Sequence, residues 1–118
     1  MDRIDSLDNF RSRLADFVAA RDWDQFHTPK NLAMALVGEV GELVEHFQWL
    51  TPDESGNLSQ ATLAEVELEI ADVLLFLLRL CDKLHIDPIA AGAKKLELNA
   101  RKYPVAKARG RATKYDRL

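Results

Sequence analysis

The chain has 118 residues, a net charge of −3 and a charged fraction of 30%, which suits one globular domain with a modest core. A weakly acidic chain does not provide the basic face that neutralises phosphates in bulk, so duplex nucleic acid is excluded as the main partner. The N-terminal segment has no apolar stretch typical of a signal peptide, and the longest apolar run, residues 73–78, is too short to cross a bilayer, so we expect a cytoplasmic protein with no membrane partner.

Apolar residues at helical spacing predict the first helix over residues 5–21. The loop that follows, residues 22–28, contains Trp23, Phe26 and His27. Packing into the core is the default role of a tryptophan. A loop tryptophan beside Phe26 and His27 is also suited to stacking against a planar base, and the loop alone does not decide between these roles.

A capping threonine followed by proline predicts that the second helix begins at residue 29, and its apolar pattern continues to about residue 50. At about 100° per residue, Glu39 lies at the edge of the apolar arc. Glu42 lies about 60° further round, beside His46 and Trp49. Glu39 and Glu42 therefore share a face that adjoins the core.

Residues 51–59 have the composition of a turn, and the third helix is predicted over residues 60–85. Its segment 70–81 is apolar almost all round, which indicates burial on most sides. One narrow stripe of this helix nevertheless carries charges, with a phenylalanine among them: Glu65, Glu69, Asp72, Phe76, Arg79 and Lys83. An ionised acid in such surroundings is costly unless it is paired or binds a metal. The helix alone leaves two alternatives open, a salt-bridged stripe in which Arg79 pairs with Asp72, and a metal site.

The second and third helices, folded as an antiparallel hairpin, bring their acids to one level. Glu42 lies nine residues before the turn and Glu69 ten after it, while Glu39 lies twelve before and Asp72 thirteen after. At about 1.5 Å per residue, these pairs stand at nearly the same height. Four converging carboxylates repel one another, and a hard cation such as Mg²⁺, or Mn²⁺ in its place, relieves that repulsion. Iron is disfavoured, because di-iron bundles use Glu-x-x-His pairs that are missing here, and His46 is assigned to the helix surface or to a role behind the metal ligands.

Asp87 and Pro88 predict the start of the fourth helix, which continues to about residue 102. One face of it carries polar residues, namely Lys95, Asn99 and Lys102, with Tyr103 at its edge. The face is either a solvated side of an amphipathic helix or, beside a metal site, a surface that binds phosphate oxygens. The tail, residues 105–118, is basic and has no firm predicted structure. The single cysteine, Cys81, is predicted to be a buried thiol.

The order Glu39-x-x-Glu42 followed by Glu69-x-x-Asp72 resembles the metal-binding signature of the all-α MazG-like nucleoside triphosphate pyrophosphohydrolases. The segments RDWDQFHTPKNLAMALVGEVGELVEHFQWL, EIADVLLFLLRL and KLELNARKYP are similar to the dCTP pyrophosphatase branch of that family. The resemblance implies one MazG-like domain over residues 1–118, with residues 105–118 as its basic tail. It also implies a four-helix bundle that forms a homodimer or homotetramer, with sites near the subunit boundaries.

The resemblance implies roles for individual residues. Glu39, Glu42, Glu69 and Asp72 would form the catalytic metal site, and a (deoxy)nucleoside triphosphate would be cleaved between its α- and β-phosphates. Lys95, Asn99 and Tyr103 match phosphate-binding positions. Trp23, His27 and Trp49 match an aromatic nucleobase pocket. Phe76 stands where that branch has a tyrosine, and Leu14 replaces a more polar residue.

The sequence thus predicts a Mg²⁺-dependent enzyme that hydrolyses a nucleotide, dCTP or a modified cytosine nucleotide, to the monophosphate and pyrophosphate. Two alternatives remain. The apolar surface of the third helix is wider than a lone helical hairpin covers, which also suits a non-catalytic oligomerisation or binding module. The acids also suit a carboxylate-bridged di-iron helical protein, which metal analysis would distinguish.

Overall fold

A computed structural model describes residues 3–118. The described residues contain helices and no strand, so the predicted all-α class is confirmed. The helices are α1 (Leu7–Ala20), α2 (Pro29–Glu45), α3 (Pro52–Ser55), α4 (Gln60–Lys83), α5 (Pro88–Lys102) and α6 (Val105–Ala108), with single 3₁₀ turns at Asp24–Phe26 and Tyr115–Arg117. No helix within residues 3–118 has the length and apolar character needed to span a membrane.

The chain forms two compact units, Met1–His85 and Ile86–Leu118. In the first unit α4 packs along α2 and also contacts α1. The buried side chains of these three helices are apolar, apart from one arginine: Val18, Leu32, Val66, Leu78, Arg79 and Cys81. A second contact joins the helices, because the Arg11 Nε–H of α1 donates to Asp82 Oδ1 of α4 over 2.9 Å. The prediction that Cys81 is a buried thiol is confirmed.

Two helix starts, those of α2 and α5, follow the predicted caps. Thr28 accepts a hydrogen bond from the backbone N–H three residues on, and so begins α2. Ser6, which was not predicted as a cap, begins α1 in the same way. Asp87 begins α5 in the same manner, with Pro88 at the first helical position. A side-chain oxygen at this position satisfies a backbone N–H that has no partner inside the helix, which is why these boundaries are predictable from a short sequence segment.

The second helix ends earlier than predicted, at Glu45 instead of residue 50. Directly beyond Glu45 two backbone N–H groups donate to the carbonyl three residues before them, as in a 3₁₀ turn. These bonds run from His46 N–H to Leu43 O and from Phe47 N–H to Val44 O. Thr51 is held extended by the proline that follows and forms a capping box with Glu54, which begins α3 within the predicted turn. The prediction is wrong at this boundary because a competing cap starts a new helix.

Smaller differences lie at other helix ends. The third predicted helix stops at Lys83, not residue 85, because His85 adopts a left-handed conformation with φ of 55°. The first predicted helix is shorter by two residues at its start and one at its end, where Asp22 has φ of 53°.

The second unit holds α5, α6 and the C-terminal 3₁₀ turn. The ring of Tyr115 in that turn lies edge-on to the ring of Tyr103, with centroids 6.0 Å apart. Lys102 Nζ lies 4.7 Å from the centroid of the same Tyr115 ring. The tail, for which the sequence predicted no firm structure, is thus ordered around the end of α5.

Candidate active site

The hairpin of α2 and α4 brings the predicted acids together. His46 Nδ1, just after the end of α2, lies 3.8 Å from Glu65 Oε2 of α4. Glu39, earlier in α2, lies close to Glu69 and Asp72, later in α4, so the two helices run antiparallel. Carboxylate oxygens of Glu39, Glu69 and Asp72 all lie within 4.8 Å of one another.

Glu42 lies beside this group, because its carboxylate is close enough to raise the pKa of both Glu39 and Glu69. We call Glu39, Glu42, Glu69 and Asp72 the carboxylate cluster. Glu39, Glu69 and Asp72 therefore converge as the residue spacing predicts, with Glu42 as their neighbour.

Two members of the carboxylate cluster are protonated more readily than ordinary glutamates. Burial raises the pKa of Glu39 to about 7, and a hydrogen bond and negative charge from Glu42 add to that shift. The charges of Asp72 and Glu69 raise the Glu39 pKa further. Burial also raises the pKa of Glu69, again with Glu42 as the next contributor. The folded chain thus holds negative charges together at an energetic cost, as the sequence analysis anticipated.

The carboxylate cluster has the properties of a cation site. Glu39 Oε2 and Glu69 Oε2 are buried and have no hydrogen-bond partner within residues 3–118. A buried carboxylate oxygen without a partner loses the hydration it would have in water. A divalent cation restores that missing interaction and removes the mutual repulsion, and all-oxygen ligation suits a hard cation. The residues present therefore fit a divalent metal ion.

A cavity of about 200 Å³ lies beside the carboxylate cluster. Its wall is mainly aromatic and aliphatic, formed by Leu14, Phe17, Val18, Trp23, His27, Asp72, Leu75, Phe76 and Arg79. Asp72 belongs to both the cavity wall and the carboxylate cluster. A ligand seated in this aromatic cavity would therefore lie next to a bound cation.

The cavity contains two of the predicted nucleobase-pocket residues, Trp23 and His27, together with the replaced positions Phe76 and Leu14. Trp49 is not among its lining residues. It lies in the turn beyond the end of α2, and the residue is 87% exposed. The structure therefore does not bring the two tryptophans together within the described chain.

Arg79 does not pair with Asp72, which corrects the salt-bridge alternative from the sequence. Its guanidinium lies 2.7 Å from Asp24 in the 3₁₀ turn and 3.7 Å from Asp82 one turn further along α4. Its Nε–H donates to His27 Nδ1 over 3.2 Å. Asp72 therefore remains within the carboxylate cluster, without a salt bridge to Arg79.

The sequence analysis missed this network around Arg79. One signal was available, because a lone arginine in an apolar helix requires several acceptors. Which acceptors it finds depends on where the loop before α2 packs, and residue spacing does not reveal that.

The remaining predicted binding residues lie in the second unit. Lys95, Asn99 and Lys102 are carried by α5, and Tyr103 is the residue that ends it. The Tyr103 N–H donates to the Asn99 carbonyl over 2.8 Å. Their role in binding phosphate stays a prediction.

Comparison with known proteins places the chain among nucleotide-processing enzymes. The model of the MazG-like family matches residues 35–118. The chain belongs to the MazG-like family. It is 44% identical to the dCTP pyrophosphatase 1 of Homo sapiens over 115 residues, covering 96% of this chain and 68% of that protein. The dCTP pyrophosphatase 1 of Bos taurus matches over the same length at the same identity.

A solved structure gives the same assignment. A pyrophosphatase from Archaeoglobus fulgidus is 44% identical to this MazG-like chain, with a TM-score of 0.80, and the match covers 88% of this chain and 97% of the other. The prediction that the chain is a nucleoside triphosphate pyrophosphohydrolase is confirmed by these relatives. The non-catalytic module is thereby set aside.

Proposed function

We propose that this MazG-like enzyme hydrolyses dCTP or a modified deoxycytidine triphosphate to the monophosphate and pyrophosphate, with Mg²⁺ held by the carboxylate cluster. The observation that carries the proposal is the shared position of Asp72, which lies both in the carboxylate cluster and in the wall of the aromatic cavity. A nucleotide needs those two environments side by side, one for its phosphates and one for its base. Relatives named dCTP pyrophosphatase 1 support cytosine as the base.

The chain's own groups divide the chemistry between them. A bound Mg²⁺ supplies Lewis-acid stabilisation of phosphate charge and lowers the pKa of water. Glu39, Glu42, Glu69 and Asp72 would hold the cation, and either Glu39 or Glu42 would accept a proton from the attacking water. The water oxygen bonds to the α-phosphorus, the bond from that phosphorus to the α–β bridging oxygen breaks, and pyrophosphate leaves.

The phosphate oxygens would be bound by Lys95, Asn99, Lys102 and Tyr103, which supply N–H and O–H donors. The base would occupy the cavity lined by Trp23, His27 and Phe76, where aromatic faces stack on it. The roles of Lys95, Asn99, Tyr103, Trp23 and His27 follow from the resemblance, and Lys102 is included because it shares the polar face of α5. The cavity supports the binding of the base.

Product analysis tests the proposal. Purified protein with Mg²⁺ is incubated with a panel of deoxynucleoside triphosphates in ¹⁸O-labelled water, and products are identified by mass spectrometry. We expect pyrophosphate and labelled monophosphate, with the highest kcat/KM for a cytosine nucleotide. Release of orthophosphate alone, or no turnover, would contradict the reaction, and label in pyrophosphate would contradict attack at the α-phosphorus.

The exposed apolar face of α4 supports assembly into a homo-oligomer. Four of its side chains fall within an arc of about 60° at helical spacing, and each is between 38% and 54% exposed: Leu63, Ile70, Leu74 and Leu77. An apolar stripe of this width is typical of a surface covered by another copy. We propose a homodimer or homotetramer with this face at an interface, and that the exposed Trp49 reaches a site at a subunit boundary.

Introducing a charge on this face is expected to dissociate the oligomer. In Leu63→Lys, the ammonium group would be buried without a partner at the interface, which is costly. Light scattering after gel filtration should give a multiple of the chain mass for the wild type and the single-chain mass for Leu63→Lys. The control Ala64→Lys adds the same charge at an exposed position outside the arc. A wild type that elutes as a single chain would refute the interface.

Removing the Tyr115 ring is expected to weaken phosphate binding. In Tyr115→Ala, Lys102 and Tyr103 both lose the ring that they contact, each contact being worth about 0.5 to 1.5 kcal/mol. We therefore expect KM for the nucleotide to rise severalfold. Tyr115→Phe keeps the ring and should keep the wild-type KM. An equal rise in both variants would show that the ring contacts do not position the phosphate-binding residues.

A further inference from the structure

The proposed reaction assigns no role to the buried side chain of Arg79. It is only 6% exposed, and its three guanidinium nitrogens each face a different group. One nitrogen lies 2.7 Å from Asp24, one lies 3.7 Å from Asp82, and Nε–H donates to His27 Nδ1 over 3.2 Å. A neutral imidazole is an unusual partner for a buried cation that already has two carboxylates beside it.

The contact with His27 determines where the imidazole carries its proton. A guanidinium has only donors and cannot accept a hydrogen bond. His27 Nδ1 must therefore accept, so it bears no proton, and the proton of the neutral ring lies on Nε2. Burial lowers the pKa of His27, and the positive charge of Arg79 lowers it further, so the ring is kept neutral.

The second ring nitrogen is free to contact a ligand. His27 lines the aromatic cavity together with Trp23 and Phe76. No protein group within residues 3–118 accepts a hydrogen bond from its Nε2–H. The other side chains of the cavity wall are aromatic or aliphatic, apart from Asp72 and Arg79. Asp72 belongs to the carboxylate cluster, and Arg79 is bound by Asp24.

The network around Arg79 also fixes the position of the ring. Asp24, which lies in the 3₁₀ turn just before His27, is bound at 2.7 Å by both Arg79 and Lys83 of α4. Asp82 is in turn bound by Arg11 of α1. The loop that carries Trp23 and His27 is therefore tied to α4 through charged groups, and the imidazole cannot rotate without breaking the bond to Arg79.

We propose that Arg79 is a positioning residue that holds His27 as a neutral Nε2–H donor in the cavity, where it selects a nucleobase that presents an acceptor on its edge. The acceptor would be a carbonyl oxygen or an unprotonated ring nitrogen, both of which cytosine has. The selection of the base rests on the proposed function, whereas the state of His27 in the free protein does not. Arg79 also lies in the cavity wall, but its guanidinium nitrogens face His27, Asp24 and Asp82, so it acts on the base through His27.

The first experiment uses the full chain without nucleotide. Long-range ¹H–¹⁵N spectra report which nitrogen of His27 is protonated, and solvent exchange reports whether the Arg79 Nε–H is protected. We expect an unprotonated Nδ1, a protonated Nε2 and a protected Arg79 Nε–H. A proton on Nδ1 would overturn the proposal even if the enzyme cleaves dCTP as proposed. The expected spectrum with no nucleotide turnover would instead count against the proposed function alone.

The second experiment separates recognition of the base from support of the fold. The readout is the ratio of KM for dCTP to KM for 2-deoxyribose 5-triphosphate, which lacks a base. His27→Phe removes the donor but keeps an aromatic ring, so we expect this ratio to rise about tenfold, which is a loss of selectivity for the base. His27→Gln places an amide N–H near the position of Nε2 and should restore the ratio to within about twofold of wild type.

Arg79 is tested through the same ratio. Arg79→Met should change it in the direction of His27→Phe, and the double variant should change it no more than His27→Phe does, because both act through one donor. Circular dichroism establishes that each variant is folded, and if Arg79→Met is not, Arg79→Lys takes its place in the cycle. Equal effects of His27→Phe on both substrates, or additive effects in the double variant, would show that the network only supports the fold.

Discussion

Replacing Asp72 with asparagine is expected to lower kcat on the order of a thousandfold while leaving the helical fold intact. Asp72 is the residue shared by the carboxylate cluster and the aromatic cavity, so its charge is needed where phosphate and base meet. Loss of one carboxylate weakens cation binding and removes several kcal/mol of charge stabilisation in the transition state. Steady-state kinetics with saturating Mg²⁺ measures the effect, and circular dichroism measures the fold.

The matched control for this substitution is Glu67→Gln. Glu67 lies on the same helix and is exposed, so its replacement removes one negative charge without touching the carboxylate cluster. It should retain activity close to that of the wild type. Asp72→Asn with wild-type kcat would show that the carboxylate cluster is not the catalytic site, and a comparable loss in Glu67→Gln would show that net charge, not the site, controls the rate.

The metal-free protein is expected to lose stability as pH rises from about 4.5 to 7, and Mg²⁺ is expected to restore it. The pKa of Glu39 is about 7 in the folded chain, against an ordinary 4.5. Between those values the folded state binds more protons than the unfolded state, so its stability falls as pH increases. Above pH 7 the acids are ionised and repel, and it is there that a cation stabilises the folded chain most.

The size of the metal effect follows from mass action. At Mg²⁺ one hundredfold above Kd, binding stabilises the folded state by about 2.7 kcal/mol, which is roughly 10 °C in Tm for a chain of this size. Thermal melts with EDTA and with Mg²⁺, at pH 5 and pH 8, test this. The Mg²⁺ shift should be clearly larger at pH 8, because protons compete for Glu39 and Glu69 at pH 5.

Glu39→Gln is the informative variant for this prediction. It should make the Tm of the metal-free protein depend less on pH, and it should reduce the rise in Tm that Mg²⁺ causes. Glu67→Gln should change neither quantity. A wild-type Tm that does not respond to Mg²⁺, Mn²⁺ or other divalent cations at pH 8 would contradict a cation site in the carboxylate cluster. A response to iron alone would favour the di-iron alternative.

The sequence alone predicted those features that depend on neighbouring residues along the chain. Thr28 and Asp87 mark helix starts because a capping side chain accepts a hydrogen bond from a backbone N–H within the next three residues. The carboxylate cluster could be predicted because the helix repeat determines residue height, and counting from the two ends of the connection between α2 and α4 gives nearly equal heights. The same local logic was wrong at the end of α2, where the capping box at Thr51 begins another helix.

The tertiary structure decided the partners of Arg79 and the separation of the two tryptophans. From spacing alone, Asp72 was a reasonable partner for Arg79, since both lie on one stripe of α4. The loop before α2 instead places Asp24 and His27 against that arginine and leaves Asp72 to the carboxylate cluster. Trp23 lies in that loop and lines the cavity, whereas Trp49 lies four residues beyond the end of α2 and is exposed. Such contacts join residues more than fifty positions apart, and helical periodicity carries no information at that distance.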